Sequence, residues 1–504
     1  MHFQQNVNST ERKIKIAIIG GGPAAISVLT HLVKALHQQN FAESTEIFIF
    51  EKNDKLGVGL PYAYEEDHYI VNLPKHLMES PAQECISFTQ WLQQSIHRQN
   101  ITDFPPRYYF GEYLKDIAHK LRQEEETNGV LIKYHTQCEV TDIQHAAEDR
   151  YLIVTSKGQY HCDYAILCTG HLPTSTYRHF IGQKGYFHDP WDREIYQPIA
   201  RDEDVVIIGT RLTAIDCVLK LVSQEHQGNI SLVSRSGLLP AVLAKEIPSY
   251  TLRHLTIENL NHLTHNGRST LSLEKLLQLF WKELSESENK TLTYEIIPKS
   301  IVDISPLDWL DKEILSAESN HKPWQQVLFA LYSLTPFIWN LLSLSDKQQF
   351  LAQYQSLFLT YLTAFPLENA YQIRQLLKRG QLDIYGGLTH IAKQGKKYIS
   401  FLPNKNLSST YLFNCTGPGY DASLVPLFQR MIHHKIIQPH TLGGIEINFE
   451  NFRTKNSKNL YAIGELTRNA HYATADYKQV TIKSEIVASS VMRTICGTRI
   501  HERY

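Results

Sequence analysis

Ile16-Ala-Ile-Ile-Gly20-Gly-Gly22-Pro-Ala-Ala25 decides the fold, because an apolar strand runs straight into a glycine-rich turn. Ile14, Ile16, Ile18 and Ile19 read as strand, and Ser27 to Gln38 has a helical apolar period through Val28, Leu29, Leu32, Val33 and Leu36. Gly20 permits the tight turn and Gly22 lets the backbone approach a pyrophosphate. Pro23 and Ala24 lead into the helix, and Ala25 stands where a small residue lets helix pack on strand. Phosphates would rest on the helix N-terminus. The second strand, Glu46 to Phe50, ends at Glu51, whose carboxylate suits the hydroxyls of an adenosine ribose. Its separation from Gly20 exceeds the usual spacing of about 20 residues, with Phe41 to Thr45 as the loop that absorbs the excess. Strand, glycines, helix, strand and terminal acid together predict an adenine-dinucleotide site.

The same pattern returns at Asp204-Val-Val-Ile-Ile-Gly209-Thr-Arg211-Leu212, followed by a predicted helix over 213–223 and a strand over 229–233. Two such units predict one resident and one visiting cofactor. Between them, Tyr151 to Thr155 reads as a hairpin arm. The strand Tyr164 to Cys168 then ends in Thr169-Gly170, where a chain can pass close to a flavin. Tyr411 to Cys415 ends likewise in Thr416-Gly417, so the chain leaves one Rossmann-like domain and later re-enters it. Asn459 to Ile463 is a further strand, ending in Gly464-Glu465 before a helix over about 477–494. Such a turn can approach a flavin's ribityl and pyrophosphate, with the acid on a ribityl hydroxyl.

The 504 residues suffice for two or three domains. Fifty basic against fifty-one acidic residues leave a net charge of -1, which excludes general polyanion binding, and no nucleic-acid partner is expected. The opening Met1 to Lys13 is polar and lacks a secretory core. Seven cysteines form no CxxC pair and no metal-ligand cluster, which excludes a dithiol reductase and a structural zinc site and fits a reducing, cytoplasmic setting. Val327 to Leu344 lacks charge and approaches the length of a membrane span. Pro336 interrupts it, and buried helices or an apolar pocket wall are expected instead. From Pro248 to about Gly380 the pattern is helical, clearest at 273–284 and 347–362, and reads as an insertion over the cleft.

These elements, taken in order, resemble the bacterial FAD/NAD(P)-binding family of the YdhS type. That family's FAD module is shared with FAD-dependent urate hydroxylases and with monooxygenases that oxidise aspartate to nitrosuccinate. The matching motifs are Gly20-Gly-Gly22-Pro-Ala, Gly57-Val-Gly59-Leu-Pro-Tyr62, Val71-Asn72-Leu-Pro74 and Pro106-Arg107 through Gly111-Glu-Tyr113. Further on come Leu167-Cys-Thr-Gly170, Asp189-Pro-Trp191, Gly209 through Asp216, Ser234-Arg235 through Pro240, Asn414-Cys-Thr-Gly417 and Ile463-Gly464-Glu465-Leu-Thr467. The resemblance implies an α/β fold of two Rossmann-like dinucleotide-binding domains, a discontinuous FAD domain and an NAD(P) domain, with a helical insertion. Its expected divisions are 1–185 and 418–504 for FAD, 186–247 and 381–417 for NAD(P), and 248–380 for the insertion.

The resemblance further implies that Gly57, Gly59 and Asn72 border the flavin. Asn72 either hydrogen-bonds the ring or an oxygen adduct, or caps the turn before Pro74. Arg107 either binds a phosphate or anionic substrate, or stacks between Tyr108 and Tyr109. Arg235, flanked by Ser234 and Ser236, suits the 2'-phosphate of NADPH, where an acid would suit NADH. Arg211 replaces the second glycine of the second fingerprint; it either blocks the pyrophosphate or swings out to pair with it. Thr360 to Pro366 lacks the His/Arg-rich stretch of relatives. Trp191 is expected at the turn between domains, and Cys168 and Cys415 as packing residues. Thr467, Arg468, His471 and Tyr472 are placed to face the flavin, with His471 as candidate acid or base. The expected activity is an FAD-dependent, NADPH-consuming monooxygenase using molecular oxygen on a small polar metabolite: an amine, amino acid or purine. Rival readings are a flavin oxidase or reductase without oxygen insertion, and a regulatory flavoprotein with a disabled second site.

Overall fold

A computed structural model describes residues 12–502, apart from 79–80, 83–84, 96–100, 124–128, 148, 193, 291–303, 473 and 475. Most of the polar opening read from the sequence therefore lies outside the described residues. The first sheet is all parallel. It is built from β1 (Ile14–Ile19), β2 (Thr45–Phe50), β3 (Leu131–His135), β7 (Tyr164–Leu167) and β16 (Leu460–Ala462), in the order β16-β7-β1-β2-β3. Beyond Lys15 in β1 and Thr45-Glu46 in β2 its central strands are apolar because both faces are covered, and Ile16 pairs with Ile47 and Ile18 with Ile49. An antiparallel ribbon of β4 (Val140–His145), β5 (Tyr151–Thr155) and β6 (Gly158–Cys162) joins β3 to β7.

Helix α1 (Pro23–Gln38) starts earlier than its apolar period announced. Pro23 occupies the first turn, where its missing N–H costs nothing. Its buried face, with Ile26, Val28, Leu29 and Leu32, lies in one core with Val487, Val491 and Ile495 of the long helix Tyr477–Glu502.

The second sheet is also parallel. It contains β8 (Tyr186–Phe187), β9 (Val205–Ile208), β10 (Ile230–Val233), β11 (Leu382–Tyr385) and β15 (Tyr411–Asn414), in the order β11-β10-β9-β15-β8. A second antiparallel ribbon, β12 (His390–Gln394), β13 (Lys397–Phe401) and β14 (Asn406–Ser409), precedes β15.

The helical region between β10 and β11 is two things rather than one cover. Helices Pro306–Glu318 and Leu367–Lys378 bury Leu310, Ile314, Ile373 and Leu376 against the second sheet and belong to its core. The remainder, including Leu273–Glu288 and Pro323–Tyr332, forms a separate core around Leu279, Val327 and Leu331. The uncharged run 327–344 breaks at Ser333-Leu334 into Pro323–Tyr332 and Thr335–Leu341, with Pro336 in the first turn of the latter. Among the described residues no helix is long and apolar enough to cross a membrane. The run 347–362 is likewise not one helix: a wide π-helical turn, Phe350–Tyr354, separates Leu344–Gln349 from Gln355–Leu362. Among the described residues no cysteine forms a disulfide, and no His/Cys/Asp/Glu cluster could hold a metal.

Candidate active site

Gly20 closes the turn after β1 at φ +103°, and a Cβ there would lie 2.3 Å from the Cys168 carbonyl oxygen. Only glycine fits that combination of backbone angle and approach. The Gly21 N–H donates to Glu51 Oε2 at 2.8 Å and the Asn53 N–H to Oε1 at 2.8 Å, so Glu51 braces the turn. Each carboxylate oxygen keeps a lone pair for a ribose hydroxyl. The chain then crosses back over the turn: the Gly57 N–H donates to Gly21 O at 2.7 Å, and a Cβ on Gly22 would stand 3.3 Å from Gly59 Cα. No side chain caps the N-terminus of α1, which leaves its first-turn donors for a ligand.

The opposite wall lies at the carboxyl ends of β7 and β16. Thr169 Oγ is buried without a partner. A Cβ on Gly170 or Gly464, both at positive φ, would meet nothing within 4 Å. Glu465 is buried and accepts from Thr474 Oγ at 3.1 Å, with His171 Nδ1 3.7 Å away. An uncapped helix end, an orphaned hydroxyl and open backbone at two turns fit a dinucleotide lying across this crevice.

Two expectations are corrected here. Arg107 has no donor directed at a phosphate. Its guanidinium forms a two-pronged ion pair with Asp216 at 2.7 and 3.2 Å, and Nε donates to Ile70 O at 2.7 Å. It also donates to Asn72 Oδ1 at 3.1 Å. Because a guanidinium can only donate, this bond fixes the Asn72 amide with its carbonyl on Arg107 and its NH2 turned away. Burial raises the pKa of Asp216 against the opposing pull of Arg107. The second correction is His471. It is buried and stacked on Phe452 at 4.2 Å and beside Phe449 at 4.9 Å. Burial, aided by Lys483, pushes its pKa down to about 3, so it packs as a neutral ring rather than exchanging protons near neutrality.

The second crevice repeats the first. Gly209 has φ +121°, and its Cβ would stand 2.4 Å from the Cys415 carbonyl oxygen. Arg211 caps the helix Leu212–Ser223 with the extended backbone that Gly22 has at α1. Its side chain reaches the helix Gln355–Leu362, donating to Ser356 O at 2.7 Å and Ser356 Oγ at 3.0 Å. Ser234 Oγ accepts from the Gly237 N–H at 2.9 Å, and Arg235 stands exposed beyond β10.

The seam between the halves carries two ion pairs on this one helix, the buried Arg107–Asp216 and the partly buried Lys220–Glu66 at 2.6 Å. Trp191 packs there too, stacked on Tyr64 at 6.2 Å and edge-on to Tyr69 at 5.6 Å. Asp216 was legible only as part of a motif, since its partner is distant in the chain. Lys483 is buried beside Asp476 and Glu465, and it escaped notice because a lysine on a long helix ordinarily reads as solvated.

Comparison with known proteins agrees with this geometry. Residues 17–172 match the FAD-NAD(P)-binding family. That stretch contains the Gly20–Gly22 turn, Glu51, Gly59, Asn72, Arg107 and Thr169-Gly170. The chain is 26% identical to the uncharacterized Escherichia coli protein YdhS over 434 residues, 76% of this chain and 78% of the relative. It is 26% identical to the trimethylamine monooxygenase of Pelagibacter ubique over 223 residues, 41% of this chain and 47% of the relative. Among solved structures, an ornithine N-hydroxylase of Kutzneria superposes with a TM-score of 0.57 at 14% identity, over 96% of this chain and 99% of its own. The L-lysine 6-monooxygenase of Pseudomonas syringae does so with 0.57 at 12% identity, over 95% and 99%. These superpositions establish a shared fold.

Proposed function

We propose that this chain is an FAD-dependent monooxygenase that consumes NADPH and molecular oxygen to hydroxylate a small polar metabolite. The observation that carries the reading is the pair of matched crevices. In each, a glycine at positive φ lies under a Cys carbonyl, and the Arg107–Asp216 ion pair joins the two halves. The relatives bearing monooxygenase names support the oxygen chemistry. FAD, when bound, supplies electron acceptance from NADPH and activation of oxygen. The chain's own residues hold and shield it. Glu51 and the α1 N-terminus take the adenosine and phosphates, and Thr169, Gly464 and Glu465 border the remainder. The Asn72 amide, its carbonyl held by Arg107, would offer its NH2 to the flavin. Gly209, Leu212, Ser234 and Arg235 take the nicotinamide nucleotide, with Arg235 at the 2'-phosphate. We place the protein in the cytoplasm, in keeping with cysteines that form no disulfide among the described residues.

Anaerobic mixing of the FAD-loaded protein with NADPH, and separately with NADH, tests the reading. Bleaching of the flavin by NADPH, at least about tenfold faster than by NADH, is expected. A yellow protein that neither nucleotide bleaches would overturn it and favour a flavin oxidase reduced by its own substrate. The tether of Arg211 to Ser356 is the observation that keeps that second reading alive.

A further inference from the structure

Arg468 opens the short helix Arg468–His471 that follows β16, three positions beyond Glu465, and is 8% exposed. Its Nη2 is buried without a hydrogen-bond partner. Among the described residues no carboxylate forms an ion pair with it, although the other arginine this deeply buried, Arg107, has Asp216. Its guanidinium lies 3.6 Å from the centre of the Tyr420 ring and 5.0 Å from that of Tyr472. Arg211 approaches the same two tyrosines from the second domain, and its Nε is also buried and unpartnered.

A guanidinium cannot shed its proton to escape burial. Stacking on aromatic faces offsets only part of the lost hydration, and an unpaired buried charge is otherwise strongly unfavourable. The arrangement is stable in use only with an anion at the open side of Arg468. The phosphates of both nucleotides have their own places at the α1 and Leu212–Ser223 N-termini and at Arg235. The ground around Arg468 is of another kind. Trp339 packs on Tyr472 at 4.7 Å, Phe350 at 5.5 Å and Phe358 at 6.2 Å. The insertion is tied down there, with Trp339 Nε1 donating to Asn469 O at 2.9 Å and Asn340 Nδ2 to Ala470 O. Aromatic walls around one cationic fork suit a small organic acid better than a phosphate ester.

We propose that Arg468 anchors a carboxylate of the substrate, with Arg211 completing the anionic subsite, so the molecule hydroxylated is an amino acid or related amino-carboxylate. This rests on the monooxygenase reading and narrows it, excluding simple amines and uncharged purines.

The test uses FAD-loaded wild type, Arg468→Gln and Arg468→Lys, titrated with L-ornithine, L-lysine and L-aspartate, their α-carboxamides, and inorganic phosphate. Flavin difference absorbance and tryptophan fluorescence report binding. We expect at least one amino acid to bind, with its carboxamide at least about tenfold weaker. Arg468→Gln should lose the same factor for the acid alone, Arg468→Lys should recover part of it, and FAD content and NADPH affinity should stay unchanged. The proposal is overturned if no acid binds, if acid and carboxamide bind alike, or if Arg468→Gln leaves the acid's affinity intact. It is also overturned if the substitution weakens NADPH and inorganic phosphate instead, which assigns the arginine to the nucleotide. A protein that takes up no FAD fails the earlier reading separately, and the fluorescence arm still reports on Arg468.

Discussion

At the scale of single residues, the glycine turns make the most direct predictions. Gly20→Ala places a Cβ 2.3 Å from Cys168 O at φ +103°. It should cost at least about 2 kcal/mol, read as a lower Tm of the apoprotein. Gly464→Ala differs in kind, because its Cβ enters open space at φ +80°. About 1 kcal/mol of backbone strain is expected, with the larger effect on FAD affinity measured by flavin titration. Glu51→Gln replaces an acceptor for a backbone N–H with an NH2 group that cannot accept. Losing one charge-assisted bond, worth about 1.5–3 kcal/mol, should raise the FAD dissociation constant by roughly tenfold or more. Gly20, Gly209 and Glu51 were legible because each stands where an apolar strand ends. His471 was not, because Phe449 and Phe452, which enclose it, come from a loop with no strand or helix period to place them.

At the scale of elements, the long helix Tyr477–Glu502 bears a titration. Lys483 on its buried side has a pKa lowered from 10.5 to about 7 by burial, opposed by Asp476 and Glu465. Below about pH 7 the ammonium is charged in both folded and unfolded chains, and the folded state carries its full burial cost. Between there and 10.5 the unfolded chain binds the extra proton, so stability rises with pH, by at most about 1.4 kcal/mol per unit. Denaturant titrations of the apoprotein should show this slope, and Lys483→Met should flatten it. The element reading was sound where one period covered one helix and failed where the period changed. Residues 347–362 carry an unbroken apolar pattern, yet the wide turn at Phe350–Tyr354 re-aims the chain so that Phe350 and Phe358 meet the one ring of Tyr472. Helix periodicity cannot reveal a partner, so the packing of Pro306–Glu318 and Leu367–Lys378 on the second sheet was equally hidden.

At the scale of the whole molecule, Arg107 and Asp216 join the two halves. Asp216→Asn leaves a buried guanidinium short of its counter-charge and should cost about 3–5 kcal/mol. The double substitution Arg107→Met with Asp216→Leu should recover most of that loss. The double variant lacks the donor that holds the Asn72 carbonyl, so it should oxidise more NADPH per product formed, read as excess peroxide. Product yield that follows stability alone would disprove a positioning role for Arg107. The departure and return of the chain were visible in the repeated Cys-Thr-Gly endings at 168–170 and 415–417. Those endings lie where the two Cys carbonyls press on Gly20 and Gly209. The pinning of the seam was not visible, because an arginine and an aspartate far apart in sequence carry no mark of their meeting.

The sheet order β16-β7-β1-β2-β3 sets a timetable for biosynthesis. A nascent chain that has emerged through β7 has most of its first sheet but an open edge on β7. The apolar face of α1 also waits for a helix not yet translated. Everything from 186 to 459 must be made and set aside before β16 can close that edge. Ribosome-stalled chains ending before residue 460 should therefore remain protease-sensitive and unable to retain flavin, however completely the second sheet has formed. Competence would arrive in one late event rather than domain by domain.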